Sequence, residues 1–264
     1  MFTRRVEFVV VSDSTTRFTN KADIYTRYRW DFSPRAIEAI FRITGLTMSA
    51  TVADIGSGTG MLSQHFVERV KKLFALEPNT EMMEIARGLL GSYPAYNSID
   101  GCAEAIALPN HSVDLVVVGR AIHWFDPQKA RAEFLRILIP EGWLAVLQTP
   151  CIDKKLDAAL KQIRIQENGW DVEGDKNKIK KVPLSFFFGS EDYITLDFPE
   201  TVSETWQEFF GRQLSVSSAP VESHPLYPNF EKAAREIFEK FGQDGSISIE
   251  MATELHLGQV KADK

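Results

Sequence analysis

Apolar residues between positions 50 and 150 form short continuous runs that alternate with helical repeats. Short continuous apolar runs are typical of strands that are buried on both faces of a sheet. Such runs predict strands over residues 51–55, 72–77, 96–100, 113–118 and 143–147, and the run over 96–100 is the weakest of them. Apolar positions at helical spacing predict helices over 60–70, 80–90 and from Asp126-Pro127 onward. This alternation predicts a parallel α/β sheet with right-handed crossovers.

The pattern differs on either side of this region. Residues 21–47 carry a helical repeat, and Pro34 after Ser33 fits the first turn of a helix. After Pro150 the pattern predicts three more helices and two more strands, the helices over 156–166, 202–214 and 230–241 and the strands over 192–197 and 246–257. Residues 168–182 are charged and polar, which is typical of a loop. We therefore expect one α/β domain with extra helices late in the chain.

Composition narrows the classes of function. The 264 residues include 44% hydrophobic and 25% charged residues, and the net charge is −6, which argues against a broad nucleic-acid-binding surface. Two cysteines, Cys102 and Cys151, form no disulfide framework, and no apolar run approaches the roughly 18 residues that span a bilayer. The histidines lack metal-ligand spacing. We expect a cytoplasmic protein with no metal, nucleic-acid or membrane partner.

The chemistry is concentrated where the first two predicted strands end. Asp54 closes the first strand, and Gly56, Gly58 and Gly60 alternate in the loop after it. Glycines allow backbone to approach a flat ligand where a Cβ atom would collide. Glu77 closes the second strand, so two carboxylates would lie beside that ligand. This pattern suggests a nucleoside that carries a positive charge, of which S-adenosylmethionine is the common one.

The glycine spacing distinguishes this loop from two related ones. Dinucleotide-binding loops have the pattern G-x-G-x-x-G, whereas Met61 stands at the last glycine position here. The chain also lacks the Gly-Lys-Ser/Thr of a phosphate-binding P-loop. A tight strand-to-helix turn that binds no ligand remains the alternative.

Five segments in order resemble the motifs of the class I S-adenosylmethionine-dependent methyltransferases. Residues 54–60 resemble the first motif and Glu77-Pro78-Asn79 the second. Residues 101–109 resemble the segment along the edge of the adenine. Residues 112–125 are similar to the fourth strand and the loop after it, and 138–143 to the turn into the fifth strand. Looser matches near Tyr25 and near Trp206 resemble the lid and the late insertion of members that act on small molecules.

The resemblance implies the whole architecture. We expect a Rossmann-like sheet of seven strands, mostly parallel with an antiparallel last strand, helices on both faces and a helical insertion late in the chain. Within a single domain over 1–264, residues 1–47 would form an N-terminal lid segment and 48–150 the cofactor-binding core. Residues 151–245 would form a helical cap over the substrate that includes a late strand, and 246–264 the final strand and tail.

The resemblance also implies which residues contact the cofactor. Glu77 would accept hydrogen bonds from the ribose hydroxyls and Asp54 would face the ammonium group; the alternatives are a helix cap and a structural acid that bonds the loop. Many relatives have Asp at position 102, so Cys102 suggests that apolar contact, the backbone of Ala103 and Glu104 hold the adenine. The full set of implied cofactor-binding residues is Asp54, Gly56, Ser57, Gly58, Gly60, Glu77, Pro78, Cys102, Ala103, Glu104, Gly119 and Arg120.

The acceptor site is less defined. His123 is the candidate general base, with a packing histidine as the alternative, and a carboxylate acceptor would need no base. Aromatic and neighbouring residues that match the lid and the insertion are candidates for the substrate pocket, with ordinary core packing as the alternative: Phe18, Tyr25, Tyr28, His123, Trp124 and Trp206.

We therefore expect an enzyme that transfers a methyl group from S-adenosylmethionine to a small molecule. The methylated atom (oxygen, nitrogen or carbon) and the oligomeric state stay open. The main alternative is a non-catalytic module that binds S-adenosylmethionine. An NAD-dependent oxidoreductase is disfavoured by the glycine spacing, and an RNA methyltransferase by the acidic composition.

Overall fold

A computed structural model describes residues 21–166 and 182–262 of the chain. Seven strands form one sheet in the order β3-β2-β1-β4-β5-β7-β6. The strands are β1 (Thr51–Ile55), β2 (Lys72–Leu76), β3 (Tyr96–Ile99), β4 (Val113–Gly119), β5 (Leu138–Gln148), β6 (Ile194–Thr205) and β7 (Ser246–Gln259). Strands β1 to β5 pair in parallel, and β7 runs antiparallel to both β5 and β6. The predicted mostly parallel sheet with an antiparallel last strand is confirmed.

Eight α-helices accompany the sheet in the described residues. They are α1 (Ala22–Tyr28), α2 (Pro34–Thr44), α3 (Thr80–Leu90), α4 (Pro127–Ile137), α5 (Lys154–Gln166), α6 (Leu184–Phe188), α7 (Trp206–Leu214) and α8 (Tyr227–Phe241). Asp126 begins α4 as predicted, because its carboxylate accepts hydrogen bonds from the amides of Gln128 and Lys129. The helices α7 and α8 lie between β6 and β7 in the chain.

The sheet has a hydrophobic cluster on each face. Val116 and Val118 of β4 belong to the cluster that includes α4, while Leu115 and Val117 belong to the cluster that includes α2. A strand buried on both faces explains the continuous apolar run of β4. A third cluster joins α5, α7 and α8 to the first half of β7 through residues such as Ile247.

Besides the start of β5, which is Leu138 and not residue 143, three boundary predictions were wrong. The helical repeat over 21–47 is interrupted at residues 29–33 and gives two helices, of which the second begins at Pro34 as predicted. The helix expected over 60–70 is a series of turns around a short 3₁₀ helix, Ser63–His65. Its turns tighten at Ser63, whose carbonyl accepts from the amides of both Phe66 and Val67 while its hydroxyl donates to Asp54. The buried positions that the helical pattern marked, such as Phe66, are nevertheless in the core.

The third error concerns residues 202–205, which were assigned to a helix and instead complete β6. All of β6 pairs with β7, from Ile194 opposite Leu257 to Thr205 opposite Ser246. Pairing along the whole strand therefore outweighs the local helical pattern. The helix begins after Thr205, whose side chain forms a capping box with Glu208. The predicted loop over 168–182 lies almost wholly outside the described residues.

Candidate cofactor-binding site

The glycine loop bends over the end of β2. Its three glycines, Gly56, Gly58 and Gly60, have φ angles of 70°, 57° and 83°, which side chains with a Cβ atom rarely adopt. The amides of Gly56 and Ser57 both donate to the carbonyl of Leu76, each at 2.9 Å. The loop therefore holds the ends of β1 and β2 together.

The three glycines differ in what they face. A Cβ atom on Gly56 would lie 2.7 Å from Cβ of Ala121, and one on Gly60 would lie 2.7 Å from Cδ1 of Leu90. At Gly58, by contrast, the nearest atom would be Sδ of Met82 at 3.7 Å. Protein packing thus explains Gly56 and Gly60, and the expected close approach of a ligand fits Gly58.

Asp54 is completely buried at the end of β1. Its Oδ2 accepts a hydrogen bond from the hydroxyl of Ser63 at 2.7 Å, while Oδ1 has no partner among the residues that the structure describes. Burial raises the pKa of Asp54 to about 7, and the charge of Glu77 adds to that rise against the hydrogen bond from Ser63. The carboxyl group therefore has a free acceptor atom and a strong need for a donor or a cation.

Glu77 lies beside it, 8% exposed, at the end of β2. Its Oε2 accepts from the amide of Gly58 at 2.8 Å, and its Oε1 accepts from the amide of Asn79 at 2.9 Å. Asn79 itself caps α3, so Glu77 is not the helix cap. Burial raises the pKa of Glu77, against these two amide hydrogen bonds. Each carboxylate oxygen keeps one further acceptor position, which suits the two hydroxyls of a ribose.

The segment expected along the adenine edge is partly engaged by the protein. Ala103 is buried, and Cys102 and Pro78 are half-buried. Burial raises the pKa of the Cys102 thiol, so the group is a poor acceptor. One oxygen of Glu104 accepts from the amide of Asp126 at 2.7 Å, which ties the segment to the start of α4. Glu104 therefore has a structural role at this position.

Gly119 ends β4, Arg120 follows it, and both contact the N-terminal part of the described chain. A Cβ atom on Gly119 would lie 2.8 Å from Cζ of Phe32. Arg120 has a φ of 56°, and its Nη1 donates to the carbonyl of Trp30 at 2.6 Å and to Oγ1 of Thr149 at 3.2 Å. The residues between α1 and α2 thus cover the carboxyl end of β4.

The candidate acceptor residues are dispersed. Tyr25 lies 5.7 Å from the Arg120 guanidinium, measured to the ring centroid, which places it near the end of β4. Tyr28 packs on the backbone of Gly211 in α7. Trp206 stacks on Phe210 within the third cluster, so the structure shows it in a packing role.

The other three candidates differ in position. The ring of His123 is exposed and lies 4.8 Å from the ring of Trp124, which is half-buried against the cluster around α4. Phe18 lies outside the described residues. Of these candidates, Tyr25 is the one whose ring contacts the Arg120 guanidinium in the described structure.

Sequence reasoning missed several residues that hold the site together. Ser63 hydrogen bonds Asp54, and Trp30, Met61 and Thr149 contact Arg120. Ser63 lies in the stretch that was predicted to be a regular helix, and Trp30 lies between the two N-terminal helices. The aromatic composition of that segment was a usable signal, but its contact with β4 follows from the fold alone.

Within residues 21–166 and 182–262, no group of His, Cys, Asp or Glu side chains is arranged to hold a metal ion. Within the same ranges no helix combines the length and the apolar composition needed to cross a bilayer.

Comparisons with known proteins bear on the same core. The family model described as "Methyltransferase domain" matches residues 53–146. An uncharacterised methyltransferase of Mycobacterium tuberculosis is 35% identical over 135 residues, which cover 51% of this chain and 53% of that relative. An uncharacterised methyltransferase of Schizosaccharomyces pombe is 32% identical over 132 residues, 49% of this chain and 51% of that relative. The matches thus span about half the length of these curated relatives.

A structural comparison extends beyond the core. The YcgJ protein of Bacillus subtilis superposes with a TM-score of 0.56 and 19% identity, covering 87% of this chain and 100% of that one. At this identity the likeness shows the fold alone. The family match and the methyltransferase relatives show that residues 53–146 are similar to the core of a methyltransferase domain, a family whose cofactor is S-adenosylmethionine, and the structural likeness adds a shared fold.

Proposed function

We propose that this chain transfers a methyl group from S-adenosylmethionine to a small-molecule acceptor. The observation that carries the proposal is the pair of buried carboxylates, Asp54 and Glu77, at adjacent strand ends. In the described parts of the chain, no basic side chain hydrogen bonds or pairs with either one. Buried negative charge without a cation is unfavourable, so the site favours a ligand that brings positive charge.

The residues present fit that cofactor. Oδ1 of Asp54, which has no partner in the described part of the chain, can accept from an ammonium group. Both oxygens of Glu77 have capacity left for ribose hydroxyls, and the position of a Cβ atom on Gly58 has no neighbour closer than 3.7 Å. When bound, S-adenosylmethionine supplies a methyl group that its sulfonium charge activates for transfer.

The chain's own contribution is alignment and the exclusion of water. The glycine loop and Glu77 fix one side of the site, and the segment with Trp30 and Phe32 covers the end of β4. His123 is proposed as the base for an acceptor that must lose a proton. Its exposed ring is compatible with that role in a complex that brings an acceptor against it.

Calorimetry with S-adenosylhomocysteine and with NAD tests the cofactor assignment. We expect micromolar affinity for S-adenosylhomocysteine and no measurable heat with NAD. The reverse result would favour an oxidoreductase and overturn the proposal.

Methyl transfer needs a separate experiment. A screen of small acids, phenols and amines with isotopically labelled S-adenosylmethionine, read by product mass, should give a labelled product. Tight binding of S-adenosylhomocysteine with no labelled product from any acceptor class would favour the non-catalytic binding module instead. Comparing His123→Gln with wild type on an active acceptor then tests the base, because a packing histidine would leave the pH profile unchanged.

A further inference from the structure

Arg120 is a cation without a counter-charge among the residues that the structure describes. It directly follows β4, at the edge of the sheet where the glycine loop and Glu77 also lie. No carboxylate within the described ranges lies within 4.0 Å of its guanidinium, whose hydrogen-bond partners are the Trp30 carbonyl, the Thr149 hydroxyl and the Met61 thioether. A half-buried guanidinium commonly pairs with an acid, so its charge is available to a ligand.

The hydrogen bonds of this guanidinium are also incomplete. Nη2 has Sδ of Met61 as its partner, at 2.7 Å, and a thioether is a weak acceptor on a flexible side chain. Nε is buried and has no partner among the described residues. A carboxylate would satisfy a guanidinium far better than a thioether, because the planar donors match two carboxylate oxygens.

The surroundings of Arg120 are aromatic. The guanidinium carbon lies 4.5 Å from the ring centroid of Phe32 and 5.7 Å from that of Tyr25. These rings partly stabilise the cation and keep water from it. A positive centre between apolar walls is the arrangement expected for an organic anion rather than for a neutral or cationic molecule.

We propose that the Arg120 side chain binds the carboxylate of the methyl acceptor, so that the acceptor is a small organic acid. This inference rests on the proposed function. In the complex, the acceptor carboxylate takes the place of Met61 Sδ at Nη2, and the half-buried ring of Tyr25 contacts its apolar part. The methionine carboxylate of the cofactor has the same chemistry, so the test must separate the two sources.

The experiment uses the full chain and two substitutions at one position. Arg120→Gln removes the charge and Arg120→Lys keeps it, while Arg42→Gln, an exposed position on α2, is the control with the same charge change. Calorimetry first measures the affinities for S-adenosylhomocysteine and for 5′-methylthioadenosine, which lacks the amino-acid part. Phenylacetate, hexanoate and succinate are then titrated into the complex with S-adenosylhomocysteine, each beside its amide.

We expect at least one acid to bind wild type and Arg42→Gln tenfold or more tightly than its amide. Arg120→Gln should lose this preference and Arg120→Lys should keep part of it, and in each variant the affinities for S-adenosylhomocysteine and for 5′-methylthioadenosine should change by the same factor. If Arg120→Gln does not fold, the preference for the acid over its amide is compared between wild type and Arg120→Lys. A reduced preference in Arg120→Lys supports the inference, and an equal preference contradicts it.

Two results would overturn the inference. The first is that no acid is preferred to its amide by wild type. The second is that Arg120→Gln lowers the affinity for S-adenosylhomocysteine and leaves the affinity for 5′-methylthioadenosine unchanged. That result would assign Arg120 to the cofactor. Absence of S-adenosylhomocysteine binding to wild type would instead refute the proposed function.

Discussion

Asp54 places a titratable group inside the protein at a point where the fold offers it one hydrogen bond. Its pKa rises from 3.8 to about 7, so the folded state favours the protonated form. The contribution of Asp54 to the unfolding free energy therefore falls as pH rises from about 4 to about 7 and is level above that. A bound ammonium group reverses this preference, since it favours the carboxylate.

The first prediction follows for Asp54→Asn. At pH 8 the unliganded variant should be more stable than wild type by about 2 to 4 kcal/mol, because no charge is buried. It should also bind S-adenosylhomocysteine at least tenfold more weakly. Chemical denaturation and calorimetry measure the two effects. A variant that is less stable than wild type at pH 8 would contradict the role given to burial.

The second prediction concerns pH and cofactor affinity in wild type. Below about pH 7 the affinity for S-adenosylhomocysteine should fall by up to tenfold per pH unit, because binding must first remove the proton from Asp54. Calorimetry between pH 5.5 and 8.5 measures this slope. Most of the slope should be absent in Asp54→Asn, and an equal slope in both proteins would assign the titration to another group.

The third prediction concerns Glu77. Replacement by Gln puts an NH₂ group against the amide of Gly58 or of Asn79, where two donors repel. We expect Glu77→Gln to lower the affinity for S-adenosylhomocysteine by about 10- to 100-fold. Glu84→Gln, an exposed position on α3, the helix that begins three residues after Glu77, should bind like wild type. Unchanged affinity in Glu77→Gln would remove Glu77 from the cofactor site.

At the scale of elements, the glycines of the loop have two different roles: Gly60 allows close packing, and Gly58 leaves room for a ligand. Gly60→Ala should destabilise the protein by about 2 to 4 kcal/mol, because its φ is 83° and its Cβ atom would overlap Leu90. Gly58→Ala meets no close neighbour, so we expect about 1 kcal/mol from its φ of 57° and a larger loss in cofactor affinity. Thermal unfolding and calorimetry of both variants measure this difference. Equal stability losses would contradict it.

For some elements the local sequence pattern does not predict the secondary structure. The apolar repeat of residues 60–70 predicted the buried positions correctly and the regular helix wrongly. The hydroxyl of Ser63 donates to Asp54, a contact between residues of different elements that no local repeat reports. The beginning of α4 was predictable because its cap, Asp126, is adjacent in sequence to the helix.

At the scale of the whole molecule, Trp30 connects the N-terminal segment to the late helices. Its indole N–H donates to Glu204 at 2.7 Å, and its carbonyl accepts from Arg120. Glu204 and Arg212 form a buried ion pair, also at 2.7 Å, and the Arg212 guanidinium lies 4.1 Å from the Trp30 ring centroid. The late helices and the end of β4 are thus joined through one residue.

The fifth prediction tests this connection. Glu204→Gln should destabilise the protein by about 3 kcal/mol, because it leaves the buried Arg212 without its counter-charge. Glu38→Gln breaks an exposed ion pair with Arg69 and should change stability little. Chemical denaturation followed by tryptophan fluorescence measures both. A similar effect of the two substitutions would show that the buried pair is not important for stability.

The sequence by itself determined the parallel sheet, the order of its strands along the chain and the acids at the ends of β1 and β2, because these depend on local periodicity and on motifs whose residues are close in the chain. The tertiary structure alone decided that Oδ1 of Asp54 lacks a partner, that Trp30 and Phe32 cover β4, and that Arg120 has no acidic neighbour in the described residues. These are properties of contacts between residues that are distant in sequence. Burial and pairing of charge exist only once the chain has folded.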